Sequence, residues 1–480
     1  MSPGRRSHAR RRAGTNKKRL SAFPMLRSLS LARRALPALL AWLLCGAASA
    51  QDGAEAQALQ ALIDQVQPKA VAWRRDIHSQ PELSGQEART ARLVAQHLRA
   101  LGLEVRTGVG GHGVVALLKG AQPGRVVALR ADMDALPVEE ATGLPFASRA
   151  KGRHQGQLVP VAHACGHDGH TALLMGTAEI LSRMKERLRG SVKFIFQGAE
   201  EGIPEDQPAA GASWGAKAMV EQGVLDNPKV DAIFGLHIAP SLPVGAVGWR
   251  SGVLMAGADS MRISVKGTSA HGGMPWNGVD PIPVAAQIVT SLQTIVSRQL
   301  DITREPAVLT IGSIHGGNRD NVIPESVEMA GTLRTFDEDM RADAKRRIAR
   351  TVEAIASAAG AKASVQFGPT AYAVTHNPPQ LVESALPSLR RATGGKVVPL
   401  PRLSASEDFS EFQKVVPGFY FILGAMPEGK TAATAAPNHS AGFDFDEKAL
   451  AVGMRALVTL TLDQLAREGG AQARGLEAVM

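Results

Sequence analysis

The feature that most constrains the fold of this 480-residue chain is a regular alternation of short apolar runs with longer amphipathic segments. In the first half, β-rich runs at 126–131, 192–197 and 232–237 are separated by stretches with helical spacing, such as 171–188. Strands that alternate with helices predict an α/β fold, with a mainly parallel sheet and helices on both faces. Binding sites in such sheets form beyond the carboxyl ends of the strands, so we expect functional residues directly after these runs.

The pattern changes after residue 252. A strand pattern at 260–265, two long helical segments and three further strand patterns follow one another in the order β-α-β-β-α-β, which is that of a ferredoxin-like unit. The α/β pattern then resumes after a Pro pair at 378–379. We therefore predict a catalytic domain that is interrupted by a smaller α+β domain. The predicted divisions are residues 51–252 and 374–480 for the two parts of the catalytic domain, and 253–373 for the inserted lid or dimerisation domain.

The basic charge of the chain is concentrated at its N-terminus. Residues 1–50 contain eleven of the 54 Lys and Arg residues and no acid, so the rest of a chain with net charge +10 is close to neutral. A nucleic-acid-binding protein would need a basic face on its folded body, and we therefore expect no nucleic-acid partner. The alternative is that the basic tail itself binds nucleic acid.

The same segment has the features of an export signal. Three arginines precede a short apolar run at 35–45, and small residues at 48–50 provide a cleavage site. The run is too short to span a bilayer, so no stable membrane insertion is expected after its removal. We predict a signal peptide over residues 1–50, with translation starting at Met1 or at Met25, and an exported protein that is periplasmic or secreted.

The densest cluster of metal-binding side chains is the run HACGHDGH at 163–170. Within it, Cys165 and His167 are separated by Gly166, which lets the backbone bend sharply. Cys45 would leave with the signal peptide, so Cys165 remains as the single thiol and cannot form an internal disulfide. A thiolate and an imidazole at this spacing can bind one metal ion or two neighbouring ones, although such a pair also occurs in loops by accident.

Two adjacent acids, Glu200 and Glu201, follow the apolar run at 192–197. Adjacent acids that are buried repel each other, so such a pair indicates a nearby cation. The alternative interpretation is an acidic loop in solvent. Neighbouring side chains diverge, so one acid can bind metal while the other acts as general base and later as acid to a leaving amine.

Two histidines complete a plausible ligand set. His237 ends the apolar run at 232–237, and His439 lies in the polar loop PNHS. Each alone is typical of a packed or surface histidine. Together with Cys165, His167 and Glu201 they supply five donors, which is enough for two metal ions about 3.5–4 Å apart in a hydrolase site.

Five sequence motifs resemble those of the M20 metallopeptidase family. They are RADMDALP at 130–137, HACGHDGH at 163–170, AEE at 199–201, GLH at 235–237 and NVIP at 321–324. The branch that they resemble comprises amidohydrolases of hippurate-like compounds, N-acyl amino acids and auxin–amino-acid conjugates. The similarity runs from about residue 54 to residue 466 with the motifs in the family's order.

The resemblance implies roles for individual residues. The metal ligands would be Cys165, His167, Glu201, His237 and His439, with Glu200 as the general base and Asp134 orienting a ligand. His271 lies in the inserted domain and would polarise the scissile carbonyl. It would do so across a homodimer that this domain forms. Asn321 and Arg334 would hold the substrate's carboxylate, which a guanidinium can bind through two parallel hydrogen bonds. From the residues alone, Arg334 could equally be an ordinary strand-surface arginine.

The implied reaction is hydrolysis of the amide bond of N-acyl amino acids or short peptides with a free carboxylate. Its cofactors would be two divalent metal ions, zinc or manganese in the first place, with cobalt and nickel as alternatives because ligand type alone does not decide. A carboxypeptidase or dipeptidase of the same family is the nearest alternative. A catalytically silent peptide-binding protein with the same fold is a more distant one.

The chain departs from the family's pattern at several positions. Gly198 stands where Pro is common, Trp276 where His is common, and Asp132 where related peptidases have a ligand histidine. Residues 203–213 resemble an insertion beside the site, and the sequence leaves open whether they gate it. The Glu407-Asp408 pair belongs to a further family segment near the site, with a structural or a functional role.

Overall fold

The computed structural model describes residues 29–202 and 213–467. The predicted basic tail with Met25 and most of the predicted insertion at 203–213 lie outside these residues. Residues 29–50 of the predicted signal peptide have helical backbone, and the compact unit that carries the site begins at Gln60.

The described chain contains eighteen strands. In chain order they are β1 (Glu104–Val109), β2 (Gly113–Lys119), β3 (Gln122–Asp132), β4 (Lys151–His154), β5 (Gln157–Pro160), β6 (Arg189–Gln197), β7 (Ala232–Ala239), β8 (Val247–Trp249), β9 (Gly252–Met255), β10 (Gly257–Lys266), β11 (Ala270–His271), β12 (Ala307–Gly316), β13 (Val322–Ile323), β14 (Ser326–Thr335), β15 (Lys362–Tyr372), β16 (Thr375–Asn377), β17 (Val397–Pro399) and β18 (Gly418–Gly424).

The described residues also contain nine α-helices. They are α1 (Leu29–Ser79), α2 (Ala88–Ala100), α3 (His167–Arg183), α4 (Gly215–Glu221), α5 (Pro281–Arg298), α6 (Glu338–Ala358), α7 (Pro379–Ala392), α8 (Phe409–Gln413) and α9 (Lys448–Ala466). Of these, α9 is the one whose described residues are long and apolar enough to cross a membrane, and 67% of that window is buried inside the protein.

The larger sheet has eight strands in the order β1-β2-β6-β3-β7-β18-β8-β17. Its centre, from β6 to β18, is parallel. The pairs β1-β2, β2-β6 and β18-β8 are antiparallel, and β17 pairs parallel with β8. Helices cover both faces of this sheet. Successive side chains of a strand point to opposite faces, so two adjacent residues of β18 contact helices on different sides. Leu423 of β18 lies against Gly453 of α9, and the adjacent Ile422 belongs to an apolar cluster that includes α4 and α8. The predicted α/β class is confirmed.

The second sheet has four antiparallel strands in the order β12-β14-β10-β15. Helices α5 and α6 pack against it, and their apolar residues form one core with the strands, for example Ile263, Ile288 and Ile348. The order of the elements along the chain and in the sheet is that of a ferredoxin-like unit. This smaller α+β domain interrupts the larger one, as the periodicity predicts.

The parallel strands bring their carboxyl ends to one edge of the larger sheet. Asp132 at the end of β3 pairs in register with Gln197 at the end of β6, and His237 lies near the end of β7. Helix α3 begins at His167, and it packs against β3 and β7. The candidate ligands therefore converge at the edge where sites form in open α/β sheets.

Candidate metal centre

The turn that carries Cys165 and His167 depends on a glycine. Gly166 has φ 98° and precedes the first residue of α3. Side chains larger than glycine rarely adopt this left-handed conformation. The sharp turn starts α3 at His167, four residues earlier than the periodicity suggests, and it places both side chains in the buried interior.

Cys165 lies between two histidines from distant parts of the chain. Its Sγ is 3.3 Å from Nε2 of His237 and 3.2 Å from Nε2 of His439. The loop with His439 packs directly on the cysteine turn. The backbone N–H of His439 donates to the Ala164 carbonyl at 2.6 Å, and Asn438 Nδ2 donates to the Cys165 carbonyl at 3.0 Å. These bonds hold His439 at φ 65°, which is uncommon for a non-glycine residue and which aims its ring at the cluster.

Asp134 links two other candidate ligands. The backbone N–H of Glu201 donates to Asp134 Oδ2 at 2.9 Å, and Nδ1 of His167 lies 2.9 Å from the Asp134 carbonyl and 3.2 Å from Oδ1. Because both partners of His167 Nδ1 are acceptors, that nitrogen carries a proton, and Nε2 is the nitrogen left for a metal ion. Although burial opposes it, attraction to Asp132 and Cys165 raises the pKa of His167 well above its usual value, so a metal ion would have to displace a proton from Nε2. Ser84 donates to the same carboxylate at 2.6 Å and holds it in place.

Two buried atoms in the cluster have no hydrogen-bond partner among the residues that the structure describes. They are Nε2 of His167 and Oε1 of Glu201. Although His439 Nε2 lies 3.0 Å from Glu201 Oε1, the arrangement is not that of a hydrogen bond. Buried polar atoms normally have a hydrogen-bond partner. These two unpaired atoms lie 3.9 Å apart, with a thiol and further imidazoles beside them, and such a set of donors fits a divalent cation.

The five predicted ligands thus lie together, in two overlapping groups. Within each group the donor atoms are at most 4.8 Å from one another: one is Cys165, His167 and His237, and the other is Cys165, Glu201 and His439. Burial lowers the pKa of His237 to about 3, so its imidazole is neutral, which is the metal-binding form. In the metal-free protein, the neighbouring Cys165 and Glu201 side chains raise the pKa of His439 to about 10, and a metal ion would have to displace that proton.

Glu200 is buried beside the ligands. The preceding Ala199 has φ 54°, and Glu87 Oε1 accepts its N–H at 2.8 Å, which stabilises this unusual conformation. A Cβ at Gly198 would lie 2.9 Å from the Glu87 carboxylate, so the glycine leaves room for this acid in a chain that departs from the family's proline. Burial, followed by repulsion from Glu407, Glu201 and Asp408, raises the pKa of Glu200 well above its usual value.

Asp132 is enclosed rather than free. Its Oδ2 accepts from Arg130 Nη1 at 2.6 Å, and its Oδ1 lies 2.6 Å from Nδ1 of His170. Nε2 of His170 accepts the N–H of Ile238 at 2.8 Å, so Nδ1 carries the proton that Asp132 binds. Although Asp132, His167 and His170 also lie within 4.8 Å of one another, both nitrogens of His170 are already engaged, and that group does not form a metal site.

Arg130 is the centre of a network beneath the site that the sequence reasoning missed. This fully buried guanidinium also bonds Asp408 at 2.9 Å, Glu407 at 3.0 Å and Gln197 at 2.9 Å. The signal that could have revealed it is a charged residue two positions before Asp132, inside an otherwise apolar strand. A second missed residue is Tyr372, whose hydroxyl donates to the Glu200 carbonyl at 2.7 Å from the end of β15.

The predicted substrate-binding residues are placed differently. His271 and Asn321 are exposed and neighbour each other, since Gly272 N–H donates to the Asn321 carbonyl at 2.8 Å. Neither belongs to the ligand groups around Cys165 among the described residues. Arg334 is half-buried and donates to Ser406 Oγ at 2.8 Å, next to the Glu407-Asp408 pair.

The family model of peptidase family M20/M25/M40 matches residues 128–463. The chain is 40% identical over 401 residues to thermostable carboxypeptidase 2 of Saccharolobus solfataricus. The match covers 83% of this chain and 96% of that protein. It is 38% identical over 400 residues to N-acetylcysteine deacetylase of Bacillus subtilis, covering 82% and 96%. Over 309 residues it is 42% identical to N-acyl-L-amino acid amidohydrolase of Geobacillus stearothermophilus, covering 64% and 78%.

A solved structure agrees with these relatives. The crystal structure of a dinuclear metal-binding peptidase of the M20 family from Bacillus subtilis superposes with a TM-score of 0.68 at 35% identity, over 84% of this chain and 99% of that one. The clustered ligands, the two domains and the extent of these matches lead to one assignment. The chain belongs to peptidase family M20/M25/M40, and it is a dinuclear-metal hydrolase of the amidohydrolase and peptidase type.

Proposed function

We propose that this enzyme hydrolyses the amide bond of N-acyl amino acids, releasing the free amino acid and the carboxylic acid of the acyl group. The observation that carries the proposal is the convergence of five donor side chains beside one buried acid, Glu200. Relatives that are 38% and 42% identical have names that describe N-acyl amino acid hydrolysis, which supports this substrate class.

Two divalent ions would be held by Cys165, His167, Glu201, His237 and His439. Bound there, they would supply a Lewis acid for the amide carbonyl and lower the pKa of water. The thiolate and imidazole donors suit zinc, and the carboxylate also suits manganese, with cobalt and nickel as alternatives.

Glu200 is the group that would move the proton. A general base or acid works best when its pKa is close to the operating pH, and burial raises the pKa of Glu200 in that direction. Its position is held by the Tyr372 hydroxyl on its carbonyl and by the Asp408 N–H, which lies 3.4 Å from Oε1. We therefore assign to Glu200 the uptake of a proton from the attacking water and its delivery to the leaving amine.

Arg334 would bind the substrate's carboxylate. No acidic side chain lies within ion-pair distance of its guanidinium among residues 29–202 and 213–467. Its Nη1 donates to Ser406 Oγ at 2.8 Å, so Nε and Nη2 are left for a bidentate contact with a carboxylate. Asn321 would assist, and His271 would polarise the scissile carbonyl. Because both are exposed on the inserted domain, we propose that a second copy of the chain supplies them in a homodimer.

The test is a comparison of Glu200→Gln with Glu383→Gln, which removes an exposed acid on α7. Glu200→Gln should retain the two metal ions of the wild type by elemental analysis and lose about 100-fold or more in kcat on N-acetyl amino acids. Glu383→Gln should match the wild type in both measurements. Normal turnover by Glu200→Gln would refute the assignment of the base.

Carboxypeptidase activity is a second candidate, because a relative that is 40% identical is named a carboxypeptidase. A panel that compares N-acetyl and N-benzoyl amino acids with dipeptides and longer peptides separates the two activities by kcat/KM. Bound metal without hydrolysis of any member of the panel would favour the peptide-binding alternative.

We further propose that the protein is exported, to the periplasm or the medium. The support is the sequence of residues 1–50, with basic residues, an apolar run and a small-residue cleavage site. N-terminal sequencing of the protein recovered from its producing cells tests this, and cleavage after residue 50 is the expected result. A cytosolic product that retains the basic tail would contradict it.

A further inference from the structure

A basic cavity lies apart from the metal centre, where the end of α7 and the loop after it meet α9. Its volume is about 380 Å³. Three cationic side chains, Arg391, Lys396 and Arg455, line it together with Thr393, and none of its described lining residues is acidic. None of the candidate metal ligands or substrate-binding residues contributes to it.

Arg455 is half-buried and lacks an ion-pair partner. Its guanidinium donates to the Ala392 carbonyl at 3.4 Å and to Gln60 Oε1 at 2.5 Å, both uncharged acceptors. No carboxylate lies within 4 Å of it in the described part of the chain. Burial lowers the pKa of Arg455, and attraction to Asp64 offsets this only in part. A partly desolvated cation without a direct ion pair is unfavourable, and an anion in the cavity would provide one.

Lys396 supplies a second uncompensated charge. Residues 29–202 and 213–467 contain no hydrogen-bond or ion-pair partner for its ammonium group, which is exposed in the loop after α7. A Cβ on Gly245 would be 3.7 Å from its Nζ, so the ammonium group lies along this wall. Arg391, by contrast, already pairs with Asp463. The cavity therefore presents two free cations and one neutralised cation to its interior.

We propose that this cavity binds a small oxyanion of the phosphate class, either inorganic phosphate or the phosphate group of a small metabolite. Arg455 and Lys396 are its anchors, and both donate charge-assisted hydrogen bonds to phosphate oxygens. A bound oxyanion connects the loop after α7 with α9 and stabilises the folded protein. The site is independent of the proposed amide hydrolysis.

The test is calorimetric titration of the purified full-length, metal-loaded enzyme with inorganic phosphate, with chloride at the same ionic strength as reference. Lys396→Gln removes an exposed anchor and is expected to weaken phosphate binding about tenfold or more. The matched control is Arg390→Gln, which removes an exposed charge on α7 that does not line the cavity. That variant should bind phosphate within about twofold of wild type, because distant exposed charges are screened.

Each other outcome overturns the proposal. Phosphate heats no larger than those of chloride would show that no oxyanion site exists. Binding that survives unchanged in Lys396→Gln would place phosphate elsewhere, for example at the metal ions. Equal weakening in both variants would indicate general charge attraction only. Arg455→Gln provides a second anchor variant, and a thermal melt shows whether it is folded before it is titrated. Repeating the titration with glycerol 3-phosphate distinguishes free phosphate from a phosphate monoester.

Discussion

Replacing Arg130 by methionine removes the one guanidinium that holds three buried carboxylates beneath the metal centre. Arg130 bonds Asp132 at 2.6 Å, Asp408 at 2.9 Å and Glu407 at 3.0 Å, and at most 8% of any of these side chains is exposed. Methionine fills much of the same volume but provides neither charge nor donors. Glu407 and Asp408 would then face each other and Glu200 without a guanidinium between them, and Asp132 would keep only its histidine partners.

The expected loss is about 3–5 kcal/mol in the free energy of unfolding at pH 7, the cost of leaving a buried charge without its partner. It is not three times larger, because Asp132 keeps His170 as a partner, and Asp408 still accepts from the Gln197 amide and from the N–H of Ala216. Asp132 contributes most. Its burial alone would raise its pKa, but attraction to His167, Arg130 and His170 lowers the pKa well below its ordinary value of 3.8.

This carboxylate also sets the pH dependence. A group whose folded-state pKa is depressed contributes stability above its unfolded pKa, and that stability is lost as pH falls. The difference between wild type and Arg130→Met should therefore be largest near pH 7 and shrink as pH falls below about 4.

Urea denaturation of the chelated proteins at several pH values measures this loss directly. Arg130→Lys keeps the charge but loses the planar set of guanidinium donors, so its free energy of unfolding should lie between those of wild type and Arg130→Met. Arg106→Met, on an exposed position of β1, serves as control and should change stability by no more than about 0.5 kcal/mol. If Arg130→Met loses less than about 1 kcal/mol, or no more than the control, the network does not stabilise the protein as argued.

Three further predictions concern other residues. Gly166→Ala should lower the free energy of unfolding by about 1–2 kcal/mol, measured by urea titration, because Gly166 has φ 98°. The distorted cysteine turn should also lower the amount of bound metal, measured by elemental analysis, and a full metal content would contradict this. His78 is buried, but its bonds to Asp168 and Glu140 raise its pKa from 6.5 to about 9, so its stabilising effect should be complete below pH 6.5 and disappear as pH rises through 9. Unfolding free energies of wild type and His78→Asn at pH 6 and pH 10 test this, and a pH-independent difference would refute it. Removing metal with a chelator should lower the melting temperature of the wild type but barely change that of His237→Ala, provided that this variant already lacks bound metal.

Much of the fold follows from local periodicity. The two long helical segments predicted for the inserted domain are the helices Pro281–Arg298 and Glu338–Ala358, because their apolar spacing and their aspartate N-caps are local features of the sequence. Strands such as β8 and β17, with three residues each, are too short to carry a periodic signal. They are strands only because a neighbouring strand supplies their hydrogen bonds.

The ligands of the candidate site could be predicted because their residue types are chemically distinctive and follow apolar strands. Arg130, His170 and Tyr372 could not be predicted in their supporting roles. Each acts through a partner from another element, and the choice of that partner depends on strand order and domain packing. The exposed positions of His271 and Asn321 likewise depend on how the inserted domain is placed relative to the larger sheet.

The sequence by itself determined the alternation of strands and helices, the turn at Gly166 and the supply of soft and acidic donors, since these depend on neighbouring residues and on side-chain chemistry. Only the packing of distant elements encloses Asp132 with Arg130 and His170. The same packing leaves two basic side chains in a cavity beside α9 without an ion pair in the described part of the chain. The physical reason is that charge pairing and burial are properties of groups brought together across hundreds of residues, and no local pattern records which groups will meet.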